Sequence, residues 1–167
     1  DTDPFVRWES TQTIARKVLL DAAEALKTSD AIDIGDHLGT ALAGALDEAE
    51  SDPAFTALIM RLPDVGELMQ LSRECDPEVL HAAREYVRGE LASQLETRLT
   101  ATFGSYDSAQ IFSPSAKAAG RRALASASLD LLTALGGDRA ALRAENFFFA
   151  SRNMTDMMAA LDSLSQI

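Results

Sequence analysis

Asp3-Pro4-Phe5-Val6-Arg7-Trp8-Glu9 reads as the opening of an α-helix, and the same arrangement recurs along the chain. An Asp at the N-cap offers a side-chain oxygen to a free backbone N–H. A Pro one place later loses nothing, because its missing N–H would be unpaired there anyway. Asp52-Pro53, Asp76-Pro77 and Ser113-Pro114 repeat the pattern, so four of the five prolines mark helix starts. Pro63 instead breaks a helix. Asp64 behind it caps the next, with Glu67 three residues on and placed to complete a capping box.

Apolar residues between these marks recur at three- and four-residue steps. The first helix is expected from Pro4 to Leu26, with Phe5, Trp8, Ala15, Val18, Leu19, Ala22 and Leu26 on one stripe. A second covers Ile34 to Ala49 on Leu38, Leu42 and Leu46, followed by two short ones, Pro53–Arg61 and Val65–Ser72. The longest runs from Pro77 to Phe103 on a seam of Leu80, Ala83, Val87, Leu91, Leu95 and Leu99, with Gly104 as its C-terminal stop. A polar loop leads to a sixth helix, Pro114 to Leu135, ended by Gly136-Gly137. The seventh begins after Asp138 and reaches Ala150, and the eighth is capped by Asn153. Gly89 and Gly120 inside helices each cost about 1 kcal/mol relative to Ala, and so either weaken those helices or mark close helix packing. No segment alternates apolar and polar residues, so no sheet is expected. The fold class is all-α: about eight helices in stacked hairpins, a HEAT/armadillo-like solenoid, in one segment over residues 1–167.

Apolar residues make up 47% of the chain and aromatics only 6%, which excludes a disordered tail and favours helices over sheets. Cys75 is the single cysteine and has no internal partner, so a cytoplasmic setting is expected. No apolar run approaches the roughly 20 residues that span a bilayer, so no membrane partner is expected. The net charge of −11 is concentrated. From Asp21 to Glu78 fourteen acidic residues face three basic ones, Lys27, Arg61 and Arg73. Nucleic acid is thereby a poor partner, since phosphate binding needs clustered Lys and Arg. The window reads either as a solvated helix face or as an acidic surface attracting cationic peptide ends.

Candidate chemistry is sparse. A hydrolytic zinc site draws three protein ligands, often two His one turn apart. This chain has only His37, four residues after Asp33, and His81, four residues before Glu85, and each is expected as a surface pair. Cys75 precedes the acidic cap Asp76, a setting that raises a thiol pKa, so it is read as passive. No catalytic, cofactor-binding or metal-ligating residue is assigned. Phe147-Phe148-Phe149 cannot all face one core, since successive helical residues turn by about 100°. At least one must point to a second layer, another domain or solvent. Met154, Met157 and Met158 are expected as adaptable core packing.

Four ordered islands carry a family resemblance. The opening Asp3–Glu9 resembles the start of the all-helical C-terminal domain of bacterial aminopeptidase N, a zinc-dependent alanyl aminopeptidase family. Leu62-Pro63-Asp64-Val65-Gly66-Glu67-Leu68, Asp76-Pro77 with Ala83-Arg84-Glu85, and Asn153-Met154-Thr155-Asp156 with Ala159-Ala160-Leu161 are similar to further stretches of that domain. Val6 and Arg152 stand where the family commonly has Asn. The family's zinc motif, His-Glu-x-x-His with a distant Glu, and its Gly-x-Met-Glu-Asn segment do not occur here.

The resemblance implies that the chain is the first half of that helical domain. Upstream catalytic and β-rich domains of the parent chain, and the parent's peptide substrates, would be its partners, and zinc would belong to the parent. The segment would form wall and lid of a peptide chamber and be inactive alone. Apolar surface, at Phe147–Phe149 and the Met-rich last helix, would be exposed and drive self-association of the isolated segment. Asp3, Pro4, Trp8, Asn153 and Asp156 are the residues expected to matter, through capping and packing. The alternative, equally compatible with composition and periodicity, is a free-standing helical-repeat module that binds a protein partner.

Overall fold

The computed structural model describes residues 3–28, 30–72 and 76–167. Among them it shows eight helices and no strand: α1 (Pro4–Thr28), α2 (His37–Asp47), α3 (Pro53–Met60), α4 (Val65–Leu71), α5 (Pro77–Gly104), α6 (Ala116–Thr133), α7 (Gly137–Ala150) and α8 (Met154–Leu164). Cys75, expected to be passive, lies outside the described residues, as does Arg73 of the acidic window.

The capping reading carries over to most starts. Asp3 Oδ1 accepts from the Phe5 and Val6 N–H groups at 2.8 and 3.3 Å. Asp52 takes the Phe55 N–H at 3.0 Å, Asp64 the Glu67 N–H at 2.8 Å, and Asp76 the Glu78 N–H at 3.0 Å. The Asp64 capping box is only half made, because Glu67 turns its carboxylate to Arg16 at 2.8 Å. The Pro63 break is stabilised from outside. Gln12 donates to the Arg61 carbonyl at 3.0 Å and Arg84 to the Pro63 carbonyl at 3.1 Å, so carbonyls left free by the break are paired.

Other boundaries differ from expectation for identifiable reasons. α2 begins at His37 rather than Ile34, because Gly35 takes φ 59° and Asp33 ties down the Gly35 N–H at 2.8 Å. α6 begins at Ala116, not Pro114. Ser115 rather than Ser113 is the cap, accepting from the Ala118 N–H, while the Ser113 carbonyl is taken by Arg122 at 2.8 Å. α6 stops at Thr133, two residues before Leu135. α7 starts at Gly137, and Gly136 and Gly137 both adopt positive φ. Gly104 is not a left-handed stop. It is the last residue of α5, and Ser105 in ordinary helical geometry follows it.

α1 and α5 pack on each other, with α2, α3 and α4 around them; α6 lies across α3 and α5, and the consecutive pair α7–α8 packs on α6. The α5 seam is as expected, since Leu80, Ala83, Val87, Leu91, Leu95 and Leu99 are all buried. They join Leu19, Leu38, Leu42 and Leu68 in a continuous core. The α1 stripe is narrower than expected: Phe5 is 68% exposed, and Leu26 is also outside the core. Gly120 brings α6 against α3, where an added Cβ would meet the Ala54 backbone N at 3.1 Å. Gly89 is looser, with only ordinary contact to the Ala134 carbonyl. A second, smaller cluster of Leu129, Ala144, Phe147 and Ala160 joins α6, α7 and α8, with Phe103 touching both clusters.

Arg88 is buried at 1% exposure between α5 and α6. It donates to the Asp130 carbonyl and carboxylate at 2.8 and 2.9 Å and to Glu85 at 2.6 Å. A guanidinium is tolerated there because both terminal nitrogens meet acceptors, although Nε is buried without one. Glu85 also accepts from Arg84, so that carboxylate serves arginines rather than the His81 pair expected from spacing.

Candidate functional site

The α7–α8 end of the stack combines a buried polar cluster with exposed apolar side chains. Asn153 sits in extended geometry as the cap of α8 and accepts the Asp156 N–H at 3.0 Å. Asp156, third residue of that helix, turns its carboxylate inward and is 0% exposed. Its Oδ2 accepts from Asn153 Nδ2 and from the Tyr106 hydroxyl, both at 2.7 Å. Oδ1 is buried without a hydrogen-bond partner. A carboxylate in the first turn is also favoured by the helix dipole.

The cluster ties the loop after α5 to the start of α8. Burial, and then the hydrogen bond to Asp156, push the Tyr106 pKa up to about 12, because a phenolate there would be desolvated and beside a carboxylate. Phe147 closes the cluster below, 5.2 Å from the Phe103 ring and 6.2 Å from Tyr106.

Outside this cluster several apolar side chains reach the surface. The three phenylalanines divide as helical geometry requires: Phe147 is buried, Phe148 half-buried and Phe149 82% exposed. On α8, Met154 is 72% exposed, and Met158 and Leu161 are exposed as well. Met154 and Met158 are therefore not core packing, while Met157 is half-buried. The inward face of α8 is taken by Asp156, Ala160 and Ser163, which leaves Met154 and Met158 outside.

Of the residues expected to matter, Asn153 and Asp156 are brought together, and Asp3, Pro4 and Trp8 gather at the start of α1. Asp3 caps and Pro4 occupies the first turn. Trp8 is half-buried against the core, with Phe5 6.1 Å away. Tyr106 was missed by sequence reading. Its partner lies 50 residues along the chain, and the one available signal was a lone aromatic in an otherwise polar stretch. Arg88 was missed for the same reason.

His37 and His81 lie on different helices, α2 and α5. Among the described residues no group of three His, Cys, Asp or Glu side chains is placed to hold a metal ion. The described residues thus do not fit a zinc centre. Within the acidic window Asp47 is paired with Arg98 at 2.9 Å and Glu48 with Arg7 at 2.9 Å, which reduces the unpaired charge there. No helix among the described residues is long and apolar enough to cross a membrane.

The family model described as "Domain of unknown function (DUF3458_C) ARM repeats" matches residues 1–167. Aminopeptidase N of Caulobacter vibrioides is 38% identical over 162 residues, covering 96% of this chain and 18% of that protein. Aminopeptidase N of Escherichia coli is 27% identical over 160 residues, 95% of this chain and 18% of that one. The crystal structure of Legionella pneumophila aminopeptidase A in complex with aspartic acid superposes with a TM-score of 0.77 at 20% identity, over 99% of this chain and 20% of that chain. At that identity the likeness is one of fold. The chain spans 18% of the length of these two curated relatives.

Proposed function

From its membership of the DUF3458_C family of ARM repeats, we propose that this chain is a non-catalytic helical segment of a zinc-dependent aminopeptidase. Its role there is to form wall and lid of the chamber in which N-terminal residues are removed from peptides, and to dock on the catalytic domain. The observation that carries the reading is the 38% identity to an aminopeptidase N along 96% of the chain. The ordered islands at Asp3–Glu9, Leu62–Leu68, Asp76–Glu85 and Asn153–Leu161 support the same assignment.

Zinc would be held in the catalytic domain of the parent, as the likeness to aminopeptidase N implies. The chain's contribution is steric and electrostatic: a wall limits substrate size, and a lid excludes bulk water. Catalytic and β-rich domains of the parent are its partners, and the exposed Phe149, Met154 and Met158 offer apolar surface for packing. The cytoplasm, to which an unpaired single cysteine is suited, is its compartment.

The test is a comparison of the parent chain with this segment alone on short peptides with free amino ends. The parent should release N-terminal residues in a chelator-sensitive manner, and the segment should release none. Cross-links from Lys17 or Lys117 to the zinc-bearing domain of the intact parent would support docking. A parent without chelator-sensitive release would leave a free-standing helical-repeat module that binds a protein partner.

A further inference from the structure

A groove of about 430 Å³ opens between the end of α5 and α7. Its floor is aromatic, with Phe147 in ring contact with both Phe103 and Tyr106. Arg139, Arg143 and Asn146 stand on its α7 wall, the two arginines one helical turn apart. They are not equivalent. Arg139 is exposed and donates to Glu96 at 3.2 Å. Arg143 is half-buried, and no carboxylate among the described residues lies within ion-pair distance of it. Burial, and then repulsion from Arg139, hold the Arg143 pKa below the ordinary arginine value, with Glu96 opposing the shift more weakly. A cation in that condition is short of counter-charge. Arg143 therefore stands beside an apolar surface with no ion-pair partner among the described residues.

We propose that this groove binds a small carboxylic acid bearing an aromatic or branched apolar group. The carboxylate meets the Arg143 guanidinium, whose planar fork suits two parallel N–H···O bonds, with Arg139 and the Asn146 amide beside it. The apolar group lies on the Phe103–Phe147 floor. Neither half of the chemistry suffices alone: a phosphate has no use for the aromatic floor, and a neutral apolar ligand leaves Arg143 without its counter-charge. The volume lies toward the lower part of the roughly 300–1,000 Å³ range of ligand pockets, so the ligand is small. The proposal does not depend on the peptidase assignment.

Isothermal titration of 3-phenylpropionate into the full-length parent chain tests it, with 3-phenylpropionamide and inorganic phosphate as comparison ligands. The acid should bind saturably, and about tenfold or more tightly than the amide or the phosphate. Arg143→Gln should weaken acid binding by a similar factor, and the acid should slow backbone hydrogen exchange at Phe103–Tyr106 and along α7. The exchange footprint and the acid–amide ratio are read in the unsubstituted chain, so they decide the matter even where R143Q folds poorly. No saturable binding, equal binding of acid and amide, phosphate binding as tight as the acid, or protection confined to other regions would each overturn the proposal. So would acid binding unchanged in a folded R143Q.

Discussion

Tyr106 shows how one side chain can join two distant parts of the chain. Its hydroxyl is one of two donors to a fully buried carboxylate, so Tyr106→Phe leaves Asp156 with the Asn153 amide alone. Loss of a hydrogen bond to a buried acceptor costs about 1–3 kcal/mol, which urea unfolding of the variant should register. The hydroxyl also has a pH signature. Its pKa is raised in the folded state to about 12, so its contribution to stability is complete below the ordinary tyrosine value near 10. That contribution is lost as pH rises through the folded value. Tyrosinate absorbance should therefore contain a late-titrating component near pH 12 that Y106F removes. Trp8 is the contrasting case. Because it is half-buried rather than enclosed, Trp8→Ala should cost less than the roughly 3–5 kcal/mol of a fully buried aromatic, as read from the urea midpoint.

At the scale of the helix, capping and spacing set most starts, while neighbours and glycine conformations set the remainder. Helices α1, α3, α4, α5 and α8 open where an Asp or Asn was read as the cap, because that bond is local and needs nothing beyond three residues. α6 was misplaced because Ser113-Pro114-Ser115 offers two hydroxyl caps, and the choice rests on Arg122 holding the Ser113 carbonyl from the next helix turns. Glycines behave according to what faces them. Gly44 lies within α2 with open space around it, so Gly44→Ala should raise stability by about 0.4–1 kcal/mol through helix propensity and a less flexible unfolded chain. Gly120→Val should do the reverse, by about 1–3 kcal/mol, because its side chain meets the α3 backbone at Ala54. Thermal midpoints of the two variants, moving in opposite directions, would check both.

For the molecule as a whole, acidic charge is concentrated in one window while exposed apolar side chains are spread more widely. The acidic window falls on α1 to the start of α5, and part of it is neutralised by Arg7, Arg16 and Arg98 from neighbouring helices. Exposed apolar side chains occur on α1, α3 and α4 as well, and α7 and α8 carry Leu142, Phe149, Met154, Met158 and Leu161. In a repeat stack each unit covers its apolar face with the next, and an end unit without a polar outer face tends to associate. The isolated segment should accordingly self-associate in sedimentation velocity at high concentration. Phe149→Glu combined with Met154→Glu should return it to a monomer with little loss of stability, since both side chains are exposed. A monomer at every concentration would remove that expectation.

The sequence by itself determined the all-helical class, the number of helices among the described residues, most of their starts, the α5 seam and the necessary division of the Phe147–Phe149 run. These depend on interactions within a turn or two: capping bonds, proline's missing donor and the helical period. Only the tertiary structure decided that Tyr106 and Arg88 bind partners more than forty residues away, that Glu67 and Glu85 serve arginines instead of their expected local roles, and that Met154 and Met158 of α8 face outward. Periodicity shows that a helix has an apolar stripe but not which of two adjacent faces meets its neighbour. On α8 the small Ala160 and the inward Asp156 allow close approach to α6, and that packing turned Met154 and Met158 away from the core.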